Sequence, residues 1–222
     1  MKKKYSRILI FLGSMLLISA LILILFNIYE DRKSGKLSGE ILSRLHEEIP
    51  EYSGDIGDIS VPTENLFDEY KEFETVPEDE TASSVEDTGL ELDGNYYIGI
   101  ISIPDLNIEL PILRDWSYPN LKIAPCRYIG SAETGEMVIA AHNYRSHFGN
   151  LSSLNSGSII KFTNISGKTF TYEIVQFESV GKYDLDTMKD GMGEEWDLTL
   201  FTCTLDGQRR VTVRAVMTDD RS

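Results

Sequence analysis

Trp196-Asp-Leu-Thr-Leu-Phe-Thr-Cys-Thr204 and Arg210-Val-Thr-Val-Arg-Ala-Val-Met217 are two short runs rich in β-branched and aromatic residues, and the turn residues Asp206-Gly207 lie between them. Runs of this length and composition, bounded by turn residues, are typical of β-strands. Five more lie upstream, at residues 97–103, 108–113, 137–141, 158–163 and 169–177, and only residues 148–154 suggest a helical turn. Seven or eight short strands over about 125 residues predict an all-β sandwich or closed barrel with its own core.

The N-terminal region is predicted to cross a membrane. Lys2-Lys-Lys4 and Arg7 precede an apolar run, residues 8–28, which would span about 30 Å as a helix. The alternative is a cleaved signal peptide, but such a peptide has a shorter apolar region and a small-residue cleavage site, which the sequence after Leu25 lacks. Basic residues before the span and acidic residues after it predict a cytoplasmic N-terminus and an extracytoplasmic remainder.

Residues 30–95 are predicted to join this anchor to the β-domain. Apolar residues at helical spacing predict an amphipathic helix over residues 36–49, ended by Pro50, which would pack on the domain or lie on the bilayer. Residues 51–93 are acidic and lack a sustained hydrophobic period, which predicts an extended spacer. The expected organisation is a basic tip and membrane anchor (1–29), an amphipathic helix and acidic extracellular spacer (30–95), and a β-domain (96–222).

Charge and cysteine content exclude several classes of protein. The net charge of −15 arises in residues 30–95, which hold 5 basic and 20 acidic side chains. A pI near 4.6 and the lack of a basic stripe argue against nucleic-acid binding, which requires clustered Lys and Arg. Two cysteines are too few for a disulfide framework, and no Cys/His spacing typical of zinc sites is present.

Cys203 is the candidate nucleophile, because it ends a predicted strand beside a turn, where a rigid scaffold can present a reactive group. Only its thiolate would attack, so a base or a cation must lie nearby. His142, which ends the apolar strand 137–141, is the first choice as its partner. His46 lies outside the predicted domain, and His147 is expected in a solvated loop.

An arginine is the candidate group for stabilising charge in the reaction. A thiolate that attacks a carbonyl generates an oxyanion, which needs fixed donors or a cation. Arg209 and Arg210 start the last strand, and the pleat places them on opposite faces. If Val211 and Val213 face the core, Arg210 points outward, where a substrate could lie.

Together these residues resemble the sortases, a family of cysteine transpeptidases. Thr199-Leu-Phe-Thr-Cys203 matches the T-L-x-T-C motif of sortases, and Arg210-Val-Thr-Val-Arg214 resembles the strand that bears their essential arginine. Met137-Val-Ile-Ala-Ala-His142 is similar to their histidine strand, and the resemblance covers roughly residues 96–217. The family usually has Gly where this chain has Ala141. The spacing of seven between Cys203 and Arg210 is short compared with some sortases, which keeps Arg209 as an alternative.

The resemblance implies a closed eight-stranded β-barrel with short helices and a transpeptidation reaction. Cys203 would attack the Thr carbonyl of an LPXTG-like sorting signal on a surface protein, and an amine of a cell-wall precursor, or of another protein such as a pilin, would resolve the thioacyl intermediate. His142 would act as general acid and base, Arg210 would hold the substrate or its oxyanion, and Thr202 would help to shape the oxyanion site. Acidic residues between 184 and 195 offer oxygen ligands for Ca²⁺, but their spacing matches no defined site, so no cofactor is expected.

Two alternatives remain open at this point. The first is an extracytoplasmic thiol peptidase that uses the same Cys203 and His142 with water as the acceptor. The second is a noncatalytic, membrane-tethered β-domain in which Cys126 and Cys203 form a disulfide, as an oxidising exterior would allow. If the protein is an enzyme with Cys203 as nucleophile, Cys126 is expected to be a small core residue.

Overall fold

The computed structural model describes residues 2–49, 88–189 and 191–218, so most of the predicted acidic spacer lies outside the described residues. A long helix, α1 (Lys2–Glu48), comes first, and a short helix, α2 (Tyr118–Leu121), lies between the third and fourth strands. The strands of the described residues are β1 (Leu90–Leu92), β2 (Asn95–Ile103), β3 (Ile108–Leu113), β4 (Cys126–Ile129), β5 (Met137–Ala141), β6 (Ile159–Asn164), β7 (Thr169–Gly181), β8 (Leu198–Cys203) and β9 (Arg209–Met217). Short 3₁₀ turns occupy Pro104–Leu106, Leu151–Ser153 and Leu185–Met188.

The sheet closes on itself. Its strand order is β1-β2-β3-β4-β5-β8-β9-β7-β6, and β6 pairs back onto β2, which joins strands β2 to β9 into an eight-stranded barrel. The predicted closed eight-stranded barrel is therefore confirmed, as are the seven predicted strands. Two strands were not predicted: β1 is three residues long, and β4 is a four-residue strand directly after Pro125.

Alternate residues of the strands supply two apolar layers. The inner layer fills the barrel and includes Ile139, Leu200 and Val213, all fully buried. The outer layer includes Val138 and Phe201, which residues of α1 help to cover. Strand β5 is buried on both faces, which explains why its sequence is continuously apolar rather than alternating.

Helix α1 is continuous, whereas the sequence predicted a membrane span and a separate amphipathic helix over 36–49. Residues 29–35, between the two predicted segments, contain no proline, and Glu30, Arg32 and Lys33 are good helix formers. The helix therefore continues through this polar segment, including Gly35. The helix ends at Glu48, close to the predicted stop at Pro50. Of the two predicted placements, the structure shows the amphipathic part packed on the domain: Ile41 and Leu45 are buried.

Candidate active site

Cys203 is the last residue of β8 and is partly exposed. Along this strand, Leu198 and Leu200 face the barrel interior, so the pleat directs Phe201 and Cys203 to the outer face. Strand β9 pairs with β8 in antiparallel register, and Arg210 is the cross-strand partner of Cys203. Directly opposed residues of such a pair project to the same face, so Arg210 shares the outer face with the thiol.

His142 reaches the same edge of the barrel through a parallel pairing. Strand β5 runs parallel to β8 with Ala141 opposite Thr202, so the next residues, His142 and Cys203, lie at neighbouring strand ends. Neighbouring strands lie about 4.8 Å apart. The Thr202 hydroxyl donates a hydrogen bond of 2.9 Å to the Ala141 carbonyl, which fastens the two strand ends together. Thr202 itself is buried.

The imidazole of His142 is partly buried and is neutral near pH 7. Burial, with a smaller effect of the Lys122 charge, lowers the pKa of His142 below its usual value of 6.5. Its Nε2 atom is buried and has no hydrogen-bond partner among the described residues. The Tyr144 ring packs against it, with the ring centres 4.8 Å apart. A neutral imidazole with a free ring nitrogen is able to accept a proton from a thiol.

The two candidate arginines differ in what holds them. Arg209 donates from Nε to the Ser179 hydroxyl at 2.6 Å and also contacts the Ser179 carbonyl, so β7 holds its guanidinium. The Arg210 side chain makes one hydrogen bond within the described residues, to the Arg209 carbonyl at 3.3 Å. Val213 lies in the core, as the predicted outward direction of Arg210 requires.

Arg214, on the same strand, is fully buried. Its guanidinium donates to the carbonyls of Thr187 and Met188, and the Glu178 carboxylate lies 3.2 Å from it. These contacts give Arg214 a structural role in the 3₁₀ turn that precedes β8. The sequence did not indicate them, because the partners lie 26 to 36 residues away along the chain.

A cavity of about 760 Å³ opens beside Cys203. Thr202, Arg209 and Val211 line it, so it reaches Cys203 from the side of the pleat opposite to Arg210. Its remaining walls come from the loop after β5, from the β8–β9 turn and, at Asn27, Ile28 and Asp31, from helix α1. His142 and Arg210 are not among its lining residues.

A family model described as the sortase domain matches residues 101–218. The chain belongs to the sortase family. The family predicted from the sequence motifs is thus confirmed, and the matched range contains Cys203, His142 and Arg210.

Solved sortase structures resemble the chain at moderate identity. A lid mutant of sortase A from Corynebacterium diphtheriae is 28% identical with a TM-score of 0.51, covering 56% of this chain and 72% of that one. Sortase A from the same organism is 26% identical with a TM-score of 0.50, covering 56% and 62%. Sortase C from Clostridium perfringens, solved with the C-terminal cell wall sorting motif, is 26% identical with a TM-score of 0.49, covering 55% and 71%. No curated protein matches the chain.

The predicted alternative of a Cys126–Cys203 disulfide is wrong, because both cysteines of this sortase are free. Cys126 on β4 pairs with Ala140 on β5, and Ala140 pairs with Phe201 on β8. Cys126 therefore lies two strands away from Cys203 and two residues away along the strand direction. That separation is roughly 12 Å, whereas a disulfide requires Cα atoms within about 7 Å. Cys126 is fully buried, as expected for a small core residue, and burial raises the pKa of its thiol to about 12.

His147 was expected in a solvated loop and is fully buried instead. Its Nε2 lies 3.0 Å from the Ser34 hydroxyl and 3.2 Å from the Ser38 hydroxyl, both on α1. Burial lowers the pKa of His147 to about 4. This contact could not be predicted from the sequence, because helix and loop are more than 100 residues apart.

Among the described residues, no group of three or more His, Cys, Asp or Glu side chains is placed to hold a metal ion. Of the acidic residues considered for calcium, Asp190 lies outside the described residues.

Proposed function

We propose that this protein is a membrane-anchored cysteine transpeptidase that cleaves an LPXTG-like sorting signal and transfers the acyl fragment to an amine. The observation that carries the proposal is the register of three neighbouring strands: the parallel β5–β8 pair sets His142 beside Cys203, and the antiparallel β8–β9 pair sets Arg210 opposite Cys203. Membership of a family of cysteine transpeptidases supports the same chemistry.

In the acylation half of the proposed reaction, neutral His142 accepts the thiol proton of Cys203 as the sulfur attacks the Thr carbonyl carbon. The oxyanion that forms lies on the outer face of the sheet, where the Arg210 guanidinium offers positive charge and hydrogen bonds. When the peptide bond breaks, protonated His142 returns its proton to the departing amine, and a thioester remains on Cys203.

In the second half, the incoming amine attacks the thioester and gives a proton to His142. Collapse of the new oxyanion forms the amide bond and releases the Cys203 thiolate, which recovers the proton from His142. Because the hydroxyl of Thr202 is committed to the Ala141 carbonyl, we assign Thr202 an indirect part, in which it fixes the backbone of the oxyanion site rather than donating to the substrate.

Helix α1 supports the proposed location. It is long and apolar enough to cross a membrane, and its most apolar stretch is not buried against the domain. The basic residues Lys2-Lys-Lys4 and Arg7 would stay in the cytoplasm, and the barrel would lie outside. The partners we propose are surface proteins with a C-terminal LPXTG-like signal, and an amine on a cell-wall precursor or on a pilin.

The test is a transfer assay with the full-length chain in detergent micelles or nanodiscs. An LPXTG peptide is incubated with and without an added amine, such as triglycine, and the products are separated by chromatography and weighed. We expect cleavage after the Thr and an amide product that contains the amine. Cys126→Ala serves as the matched control for Cys203→Ala. Cleavage with no amine product at saturating amine would instead favour the thiol peptidase, with water as acceptor.

A further inference from the structure

The part of α1 that follows the apolar span is docked on the barrel by one helix face. Ser34, Ser38, Ile41 and Leu45 recur every three or four residues and are all buried. Ile28, six residues before Ser34, is still exposed. The helix therefore passes from the end of its apolar span to a buried contact with the domain within about 9 Å.

Hydrogen bonds at this contact define the state of His147. The Ser34 hydroxyl donates to the Lys122 carbonyl at 2.6 Å, and the Ser38 hydroxyl donates to the Ile123 carbonyl at 2.7 Å. Each hydroxyl has one proton to donate, so the Nε2 of His147 must be the donor to both serine oxygens. The other ring nitrogen, Nδ1, is buried and has no partner among the described residues, as expected for the unprotonated nitrogen of a neutral imidazole.

A close approach next to these bonds ties α1 to the loop that carries His142. A Cβ atom at Gly35 would lie 2.9 Å from the Cβ of Ser146, so only glycine fits without a shift of helix or loop. Ser146 donates to the Asp31 carboxylate from its amide at 3.1 Å and from its hydroxyl at 2.6 Å. The loop from His142 to His147 is thus held against the helix at two successive residues.

The same helix also borders the cavity beside Cys203. Asn27, Ile28 and Asp31 line the cavity that Cys203 also lines. Helix α1 therefore touches both parts of the candidate site, the cavity directly and His142 through the loop after β5.

We propose that the docked segment of α1, residues 27–38, is a working part of the acyl-transfer site rather than a tether. It closes one side of the Cys203 cavity, and Ser34, Ser38 and His147 are positioning residues that hold the His142 loop. This inference rests on the proposed function. It also implies that Cys203 is held at a fixed distance from the end of the apolar span.

One experiment measures transfer kinetics of the full chain in nanodiscs. The double variant Ser34→Ala/Ser38→Ala removes two hydrogen bonds to the buried His147 ring. We expect kcat to fall about tenfold and the acid limb of the kcat–pH profile to move. Ser43→Ala is the matched control, since the exposed Ser43 hydroxyl bonds within its own helix, to the Gly39 carbonyl, and to no other described residue. An unchanged kcat and pH profile in the double variant would overturn the proposal.

A second experiment separates docking from chemistry. A fluorophore on Cys203, with Cys126 buried and unlabelled, reports its distance to acceptor lipids by energy transfer. Gly35→Leu drives helix and loop apart, whereas a Cβ at Gly39 meets nothing within 4 Å, so Gly39→Leu is the control. We expect Gly35→Leu alone to broaden the distance distribution and, in the unlabelled protein, to lower the transfer rate. Undocking without loss of transfer, or identical distances in both variants, would contradict the proposal.

The two hypotheses fail in different ways. A wild-type chain that transfers no peptide would contradict the proposed function, and the rate of Cys203 alkylation by iodoacetamide would then test the positioning. If α1 positions the base, the pH profile of alkylation shifts in Ser34→Ala/Ser38→Ala and not in Ser43→Ala. Identical profiles would refute the inference whether or not transfer is observed.

Discussion

Arg210 and Arg214 lie on the same strand, and the structure predicts opposite consequences when each is replaced by glutamine. Arg214 is fully buried and donates to the Met188 carbonyl at 2.8 Å, the Thr199 hydroxyl at 2.9 Å and the Thr187 carbonyl at 2.5 Å. In Arg214→Gln these oxygens lose their donor. Each unsatisfied oxygen costs about 1–3 kcal/mol of folding free energy before the surrounding structure relaxes. Glu178 is one-third exposed, so water can solvate its carboxylate when Arg214 is lost, and the broken ion pair adds little to the loss of stability. We expect a loss of about 3–5 kcal/mol in the free energy of unfolding.

Arg210→Gln is the matched substitution. Arg210 is partly exposed and its side chain bonds only the Arg209 carbonyl among the described residues, so we expect a stability change within about 0.5 kcal/mol. Its transfer rate should instead fall by about 100-fold or more, the typical cost of removing one donor to an oxyanion.

The assay is urea unfolding in detergent followed by tryptophan fluorescence, because Trp196 lies against the Arg214 guanidinium, 4.7 Å from ring centre to Cζ. If Arg214→Gln does not accumulate, Arg214→Lys keeps the charge and should show a smaller loss. An Arg210→Gln protein as unstable as Arg214→Gln, or an Arg214→Gln protein as stable as the wild type, would refute the division of roles. If Arg209→Ala loses more transfer activity than Arg210→Gln, Arg209 is the functional arginine.

Further predictions concern the cysteines and histidines. Cys203→Ala should abolish transfer while Cys126→Ala leaves most of it, and equal losses would mean that the site is misplaced. The pKa of His142 is lowered, so the acid limb of kcat/KM should lie below pH 6.5, and a limb above that value would contradict the neutral base. Burial depresses the pKa of His147 from 6.5 to about 4, so the unfolded chain binds the extra proton first as pH falls. Stability should therefore drop by roughly 3 kcal/mol between pH 6.5 and 4, and His147→Gln should flatten that slope in urea unfolding.

The strands that carry the site were predictable because their patterns are local. β5 is a continuous apolar run, and β8 and β9 are β-branched runs on either side of a turn. Strand β4 has four residues and follows a proline, so its pairing with β5 stabilises it more than its own sequence does. The continuity of α1 was missed because a change from apolar to charged composition suggests a break, although residues 29–35 contain no proline to interrupt a helix.

The site was predictable as a set of residue types at strand ends, but not as a geometry. Whether His142 meets Cys203 depends on the parallel pairing of β5 and β8, which are about 60 residues apart. The burial of His147 and Arg214 depends on partners far away in the chain, and a single polar residue in a short segment carries no period that would reveal its burial. The contribution of α1 to the cavity likewise arises from tertiary packing alone.

The proposed chemistry is tested most directly by the intact mass of the full-length protein during reaction with an LPXTG peptide. We predict an added mass equal to the peptide fragment that ends at Thr, less one water, carried on Cys203, absent from Cys203→Ala and removed by an added amine. A peptide that stays whole while Cys203 is free and reactive, across a set of varied sorting signals, would contradict the proposal. Cleavage that persists in Cys203→Ala would contradict it equally.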